Sequence, residues 1–340
     1  MTPALVVRAD AGVALGLGHV MRCLALAQAL ADAGGGGALF VMAGAPAAFV
    51  ARAGTVTELG ERPGTAADAA QTASLARGAG ATWVVVDGYH FDGGYQRALV
   101  DAGMQVLAFD DHGHAGRYAA QIVLNQNLGA GEEPYADREP YTRLLLGSRY
   151  VLLQREFRAF EPDGRPVPAR ARRVLVTLGG SDPDNVSARV LAALAEVPGP
   201  LEVQVLIGGA NPHRDALERA AAAVGHPVTL VVDVRDVPAR MAWADLAVAA
   251  PGGSAWELAR VGTPQISIVL ADNQRPAGAA LAAAGLAEVL GWHAHVGEDA
   301  IAAAVAELAQ DAPRRAELAT RGRELIDGRG AERVLAAMGL

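Results

Sequence analysis

Gly16, Gly18, His19 and Arg22 follow the first apolar run in the order Gly-Leu-Gly-His-Val-Met-Arg, ahead of an Ala/Leu-rich stretch with helical periodicity. Glycines at 16 and 18 permit a tight strand-to-helix turn and let an anion approach backbone N–H groups at a helix N-terminus. A histidine at such a turn projects its imidazole toward the carboxyl end of a sheet, where open α/β folds bind ligands. A neutral imidazole there is suited to take a proton from water. Asp10 is the candidate to orient that ring, although an Asp after a strand is also an ordinary turn former. The plain alternative for His19 is a capping or packing histidine. The spacing argues against NAD, because Met21 occupies the third glycine position of the dinucleotide fingerprint.

Two further glycine turns lie in the second half. Val174-Leu-Val-Thr-Leu runs into Gly179-Gly180-Ser181-Asp182, and Ala249 is followed by Ala-Pro-Gly252-Gly253-Ser254-Ala-Trp256-Glu257. At a helix start, either pair offers N–H donors to a diphosphate. Glu257, four residues past Gly253, lies one helical turn in, where a carboxylate can accept both hydrogen bonds of a ribose diol. A helix-dipole partner is its structural alternative, as core packing is for Trp256. The loop Asp272-Asn273-Gln274 follows the next strand; an N-cap accounts for Asp272 and leaves Asn273 and Gln274 as substrate-facing polar groups.

Three loops of the first half complete the polar inventory: Asp87-Gly88-Tyr89-His90, Asp110-Asp111-His112-Gly-His114 and Asn125-Gln126-Asn127. Asp110, Asp111, His112 and His114 invite a metal reading. One such loop rarely supplies a full ligand set without a partner cluster, so the expectation is a polar loop and no metal.

These residues need strands and helices to bring them together. Short apolar runs ending in Gly, Asp or Asn alternate with helical stretches, which is the pattern of parallel βαβ units. It occurs twice. The first set of expected strands is 5–8, 38–42, 56–59, 83–87, 106–109 and 122–124; the second is 174–178, 201–207, 228–232, 246–249, 265–268 and 288–290. The Pro-rich stretch 161–173 reads as a linker. The expectation is an α/β protein of two Rossmann-like domains with a central cleft: a sugar-handling, catalytic domain over 1–160, a nucleotide domain over 174–325, and a C-terminal helix over 326–340 able to return to the first domain.

A chain of 340 residues exceeds one comfortable core, in keeping with two domains. With 51% hydrophobic and 19% charged residues it is not a disordered composition, and no apolar run has the length of a membrane span. A net charge of -8 with dispersed arginines argues against a nucleic-acid groove. No signal-peptide order opens the sequence, so a cytoplasmic protein is expected. The single cysteine, Cys23, lies within the helical pattern and reads as a core thiol.

The ordered set Gly-Leu-Gly-His-Val-Met-Arg-Cys, Asp-Asp, Asn-Gln-Asn, Leu-Leu-Gly-x-x-Tyr, Thr-Leu-Gly-Gly-Ser-Asp and Ala-Asp-Asn-Gln resembles one family. It is that of the UDP-2,4-diacetamido-2,4,6-trideoxy-β-L-altropyranose hydrolases of pseudaminic acid biosynthesis, with the related spore-coat polysaccharide proteins. The matches run from Arg8 to Gln274. The resemblance implies a glycosyltransferase-B fold, similar to the enzyme that adds N-acetylglucosamine to lipid I, with a UDP-sugar as substrate, water as co-substrate, inversion at the anomeric carbon, and neither metal nor cofactor. It puts the catalytic histidine on His19, the ribose-binding glutamate on Glu257, a sugar-contacting asparagine on Asn273 and a substrate-facing tyrosine on Tyr89. Gly18, Arg22, Asp110, Asn125, Gly180, Gly253, Ser254 and Gln274 complete the expected binding residues. A UDP-sugar-dependent glycosyltransferase on the same fold and a non-catalytic nucleotide-sugar-binding protein are the alternatives.

Overall fold

The computed structural model describes residues 3–11, 17–161, 164, 166–180, 182–209 and 211–340. Gly16 and Ser181 of the glycine turns, and Pro162, Asp163 and Arg165 of the expected linker, lie outside them. The chain divides into two compact units, Met1–Arg158 with Gly328–Leu340, and Ala159–Asp327.

The first unit is a seven-stranded parallel sheet. Its strands are β1 (Pro3–Ala9), β2 (Gly37–Met42), β3 (Val56–Glu58), β4 (Trp83–Asp87), β5 (Gln105–Phe109), β6 (Ile122–Asn125) and β7 (Arg143–Leu146), in the order β3-β2-β1-β4-β5-β6-β7. The strand β7 is the one element of this sheet absent from the sequence reading: four residues between turn-rich flanks carry too little periodicity to mark a strand. Side chains alternate between the faces. Leu5 and Val7, Trp83 and Val85, and Leu107 and Phe109 pack with the helices Gly18–Asp32 and Gly330–Met338. Val6, Val84, Val86, Val106 and Ala108 pack on the other face with Ala69, Ala73, Tyr95 and Leu99 of the helices Ala66–Ala79 and Gly93–Asp101. The C-terminal helix enters this core at Gly330, where a Cβ would lie 2.1 Å from the Val151 carbonyl oxygen, so only glycine fits.

The second unit repeats the plan with β8 (Arg173–Thr177), β9 (Glu202–Ile207), β10 (Val228–Val232), β11 (Leu246–Ala249), β12 (Gln265–Val269) and β13 (Glu288–Trp292), all parallel, in the order β10-β9-β8-β11-β12-β13. Val174, Val176, Val203, Val205, Leu246, Val248, Ile266 and Ile268 form one core with the helices Val186–Ala195 and Glu298–Gln310. Burial on both faces explains the continuous Val/Ile/Leu runs in place of polar alternation. Part of the expected linker is fastened to this unit: the fully buried Arg315 donates to the carbonyls of Leu308, at 2.6 Å, Ala309 and Pro168.

In each sheet the strand order reverses beside the first strand, at β1/β4 and at β8/β11. Such switch points open a crevice at the carboxyl ends of the strands, the preferred ligand position of open α/β sheets.

Candidate active site

At the first switch point the helix Gly18–Asp32 brings His19, Arg22 and Cys23 onto one face, since residues three and four apart are neighbours on a helix. Gly18 begins the helix, and among the described residues no side chain caps its N-terminus. Alternation along β4 turns Asp87 to this same face, in line with Trp83 and Val85. The His19 Nδ1 lies 2.5 Å from Asp87 Oδ1. Arg22 grips the same carboxylate, Nε to Oδ2 at 2.6 Å and Nη2 to Oδ1 at 2.7 Å, and reaches Asp111 with Nη1 at 2.8 Å and Nη2 at 3.1 Å. The Cys23 thiol lies 3.5 Å from Asp87 Oδ2 and is buried.

Asp87 is fully buried. Burial works to raise its pKa, but the charge and hydrogen bonds of Arg22, with those of His19, more than offset this and hold it well below the usual carboxylate range. An ionised Asp87 fixes the proton of His19 on Nδ1 and leaves the Nε2 lone pair for a reacting group. Among the described residues no hydrogen bond is made to Nε2. The ring is 11% exposed and meets Tyr89 edge to face at 5.1 Å, with Tyr89 itself at the surface.

The sequence offers Asp10 as the partner of His19; the structure supplies Asp87 instead. Asp10 does not take that role. Residues 6, 8 and 10 turn to the opposite face from the first helix, and Asp10 is engaged there by Arg8 Nη1 at 2.6 Å, the Ala43 N–H at 2.7 Å and His90 Nε2 at 3.1 Å. The signal for Asp87 was present: an acidic residue in phase with Trp83 and Val85, and an arginine one turn after His19 that needs a counter-charge.

The same alternation separates Asp110 from Asp111. Asp111 turns to Arg22, with Asn127 Nδ2 donating to it at 2.9 Å. Asp110, expected to touch substrate, is 1% exposed. Its Oδ1 accepts the N–H groups of His112 at 2.8 Å and Gly113 at 2.6 Å, and its Oδ2 accepts from His114 N–H at 3.1 Å and the Tyr118 hydroxyl. Asn125 is likewise spent on structure. Its Nδ2 donates to the Asp111 carbonyl at 3.1 Å and to Tyr135 at 2.8 Å, and its Oδ1 accepts from Asn127 N–H at 2.9 Å. Both are corrected from substrate contacts to braces of the loop that carries Asp111 and Asn127.

Among the described residues no group of three or more His, Cys, Asp or Glu side chains could hold a metal ion. Arg22 fills the space between Asp87 and Asp111 that a cation would need.

At the second switch point the two glycine turns differ. The helix after Gly179-Gly180 starts only at Val186, and Asp182 meets its first N–H groups, Oδ1 to Val186 at 2.9 Å and Oδ2 to Ser187 at 2.8 Å. A carboxylate already occupies that N-terminus, so Gly180 does not offer helix N–H groups to a diphosphate. It accepts instead from Gly208 N–H at 3.2 Å, a contact so close that a Cβ on Gly208 would lie 2.6 Å from the Gly180 oxygen. The helix Gly253–Val261, by contrast, has Gly252 as N-cap with no side-chain cap. Among the described residues the N–H groups of Gly253 and Ser254 have no partner. A Cβ on Gly253 would meet nothing within 4 Å, so the turn is open. Beside it, Gln274 accepts from Leu270 N–H at 3.0 Å and holds its Nε2 3.8 Å from where a Cβ of Gly252 would be, while Asn273 is exposed. Glu257 is half-buried, one turn into the helix, and Trp256 is buried.

No protein-family model matches the chain. The spore coat polysaccharide biosynthesis protein SpsG of Bacillus subtilis strain 168 is 30% identical over 199 residues, 58% of this chain and 58% of that protein. An uncharacterized protein of Methanocaldococcus jannaschii is 22% identical over 198 residues, 56% of this chain and 41% of the relative. The matches therefore span less than two thirds of either relative. Among solved structures, MurG of Acinetobacter baumannii superposes with a TM-score of 0.69 at 15% identity, over 99% of both chains. Anabaena HepE in complex with UDP and glucose gives 0.63 at 13% identity, over 98% of this chain and 99% of that one. Staphylococcus aureus MnaA with UDP gives 0.65 at 13% identity, over 99% and 96%. The chain has the glycosyltransferase-B fold, two Rossmann-like parallel-sheet domains.

Proposed function

We propose that this protein is an enzyme that moves a sugar from a nucleoside diphosphate, UDP in the first instance, to a hydroxyl acceptor with inversion at the anomeric carbon. The observation that carries the reading is the Asp87–His19 pair: an ionised carboxylate on Nδ1 and a free Nε2 at a switch-point crevice. His19 Nε2 takes the proton of the attacking hydroxyl. The oxygen bonds to the anomeric carbon from one side as the bond to the diphosphate oxygen breaks on the other, and the imidazolium formed is stabilised by Asp87. The leaving diphosphate takes the electron pair; within the second unit the uncapped N–H groups of Gly253 and Ser254 suit a diphosphate, Glu257 a ribose diol, and Asn273 and Gln274 the remaining polar groups of a nucleotide sugar.

The likeness to SpsG, named for polysaccharide biosynthesis, and to HepE with UDP and glucose supports a nucleotide-sugar substrate. A second reading keeps every residue role and makes water the acceptor, giving UDP and free sugar in a pathway to nonulosonic acids such as pseudaminic acid. It is favoured by the ordered motifs from Gly18-His19 to Asn125-Gln126-Asn127, which resemble the hydrolase family. The test is UDP release from a panel of UDP-sugars by wild type and His19→Ala, with and without hydroxyl acceptors. Acceptor-dependent release lost in the variant supports transfer, and acceptor-independent release lost in the variant supports hydrolysis. Release undiminished in His19→Ala removes the base, and UDP-sugar binding without release removes the enzyme.

A further inference from the structure

Tyr89 and His90 are the two central residues of one tight turn, closed by the Phe91 N–H donating to the Gly88 carbonyl at 3.2 Å. Their side chains leave it in different directions. The Tyr89 ring meets His19 edge to face at 5.1 Å, on the side of the first helix. The His90 ring turns to the other face of the sheet, with its Nε2 3.1 Å from Asp10 Oδ2 and its centroid 4.1 Å from that of Phe91. Neither end of that contact is loose. Asp10 is buried, and its Oδ1 accepts from Arg8 Nη1 at 2.6 Å and from the Ala43 N–H at 2.7 Å. Gly64 packs so closely on the turn that a Cβ there would lie 2.3 Å from the His90 carbonyl oxygen, and a Cβ on Gly88 would come within 2.9 Å of the His90 ring. His90 is thus fixed at its ring tip, its ring face and its carbonyl. Among the described residues no hydrogen bond or ion pair joins it to His19, Asp87 or Arg22.

We propose that His90 is a positioning residue that acts through Tyr89: anchored on Asp10, it sets the turn so that Tyr89 lies edge-on against the His19 imidazole. The inference rests on the reading of His19 as the base. Asp87 holds the Nδ1 of that ring, and an aromatic neighbour at right angles restricts the tilt that remains, so Nε2 keeps one direction. A displacement of about 1 Å in a reacting group can cost about 10²-fold in rate, so a turn that drifts lowers kcat and leaves KM nearly unchanged. Loss of Asp68 alone leaves the anchor in place, because the Ala43 N–H still holds Asp10.

The test is a double-mutant cycle on the full chain, read by turnover of UDP-sugars and by the NMR signal of the His19 ring C–H groups. That signal is identified among those of the eight histidines by its loss in His19→Ala. In His90→Ala kcat should fall about five- to tenfold at nearly constant KM. The His19 signal should move toward its position in Tyr89→Ala, where the ring current of the tyrosine is gone. His90→Gln keeps a donor of similar reach and should recover most of both. In the Tyr89→Ala background, His90→Ala should change kcat by less than about twofold. Should His90→Ala fail to fold, His90→Asn, too short to reach Asp10, takes its place. Equal losses in the two backgrounds make His90 a general support, and a raised KM at constant kcat makes it a substrate contact; either overturns the proposal, as does a His19 signal unmoved by His90→Ala. Turnover that survives His19→Ala, or no turnover of any UDP-sugar by wild type, removes the base. The ring signal then decides the anchor alone: if it moves, His90 still holds Tyr89 against His19, and if it does not, both claims fall.

Discussion

The carboxylate of Asp87 and the imidazole of His19 come from segments 68 residues apart and meet at 2.5 Å, with Arg22 closing on the same carboxylate from the next helical turn. The phase of β4 against the first helix assembles the pair, which under the proposed function is an acid–base device.

Replacing Asp87 should therefore act on two observables. Asp87→Asn removes the charge that fixes the His19 tautomer and stabilises its protonated form, and kcat should fall about 10²- to 10⁴-fold. It also leaves the partly buried Arg22 with Asp111 as its one carboxylate partner among the described residues, at about 2 to 3 kcal/mol of stability. Steady-state kinetics and a urea titration measure the two, and an unchanged kcat in a folded Asp87→Asn protein removes Asp87 from the mechanism.

On the other face of the sheet Arg8 is paired with Asp68 at 3.0 Å, both fully buried, and Asp68 also accepts from Tyr95 and Gly64. Asp68→Ala leaves an arginine without half its partners and should cost about 3 to 5 kcal/mol in urea unfolding. Turnover per folded molecule should stay within about twofold, since none of these groups touches His19. A large loss of kcat at full stability would place this network in the chemistry instead.

The pKa values of Asp10, Asp87 and Asp110 are all lowered: burial opposes this, and hydrogen bonds and cationic partners prevail in each case. A carboxylate with a depressed folded pKa contributes stability that is present above its unfolded value, about 3.9, and is lost as pH falls toward the folded value. Urea midpoints should thus hold from neutrality to about pH 5 and drop steeply below about pH 4. A midpoint that rises on acidification reverses the sign and refutes the assignment.

Gly253 stands at the open, uncapped start of its helix with space for a side chain. Gly253→Asp should fold normally, because an acidic residue is favourable in a first turn, yet its charge occupies the proposed diphosphate position. Calorimetry should show UDP affinity reduced at least about tenfold with the melting temperature within a few degrees of wild type. Unaltered affinity would move the diphosphate elsewhere.

Arg22 occupies the space between the carboxylates of Asp87 and Asp111, and under the proposed function helix N–H groups would neutralise the diphosphate. UDP release should accordingly survive excess EDTA. Loss of release with chelator, restored by magnesium, would require a cation at a position outside this arrangement.

What the sequence determined by itself is local: runs of Val, Ile and Leu with no polar alternation become strands buried on both faces, and their alternation with helical stretches allows little but two parallel sheets. The position of His19 in the first turn of the helix after β1 was legible too, because glycine followed by histidine at a strand-to-helix turn is a local arrangement. Only the tertiary structure decided the partners. Asp10 and Asp87 both end strands beside the same crevice, and Asp110 and Asp111 are adjacent in the chain, so proximity along the sequence favours the wrong member of one pair and cannot separate the other. The two-residue period of a strand sends Asp10 and Asp110 to one face and Asp87 and Asp111 to the other, and which face carries the first helix is fixed only when the sheet is assembled. The glycine turns follow the same logic: Gly179-Gly180 and Gly252-Gly253 read alike, and the difference is Asp182, whose carboxylate folds back onto the helix N-terminus that the other turn leaves open.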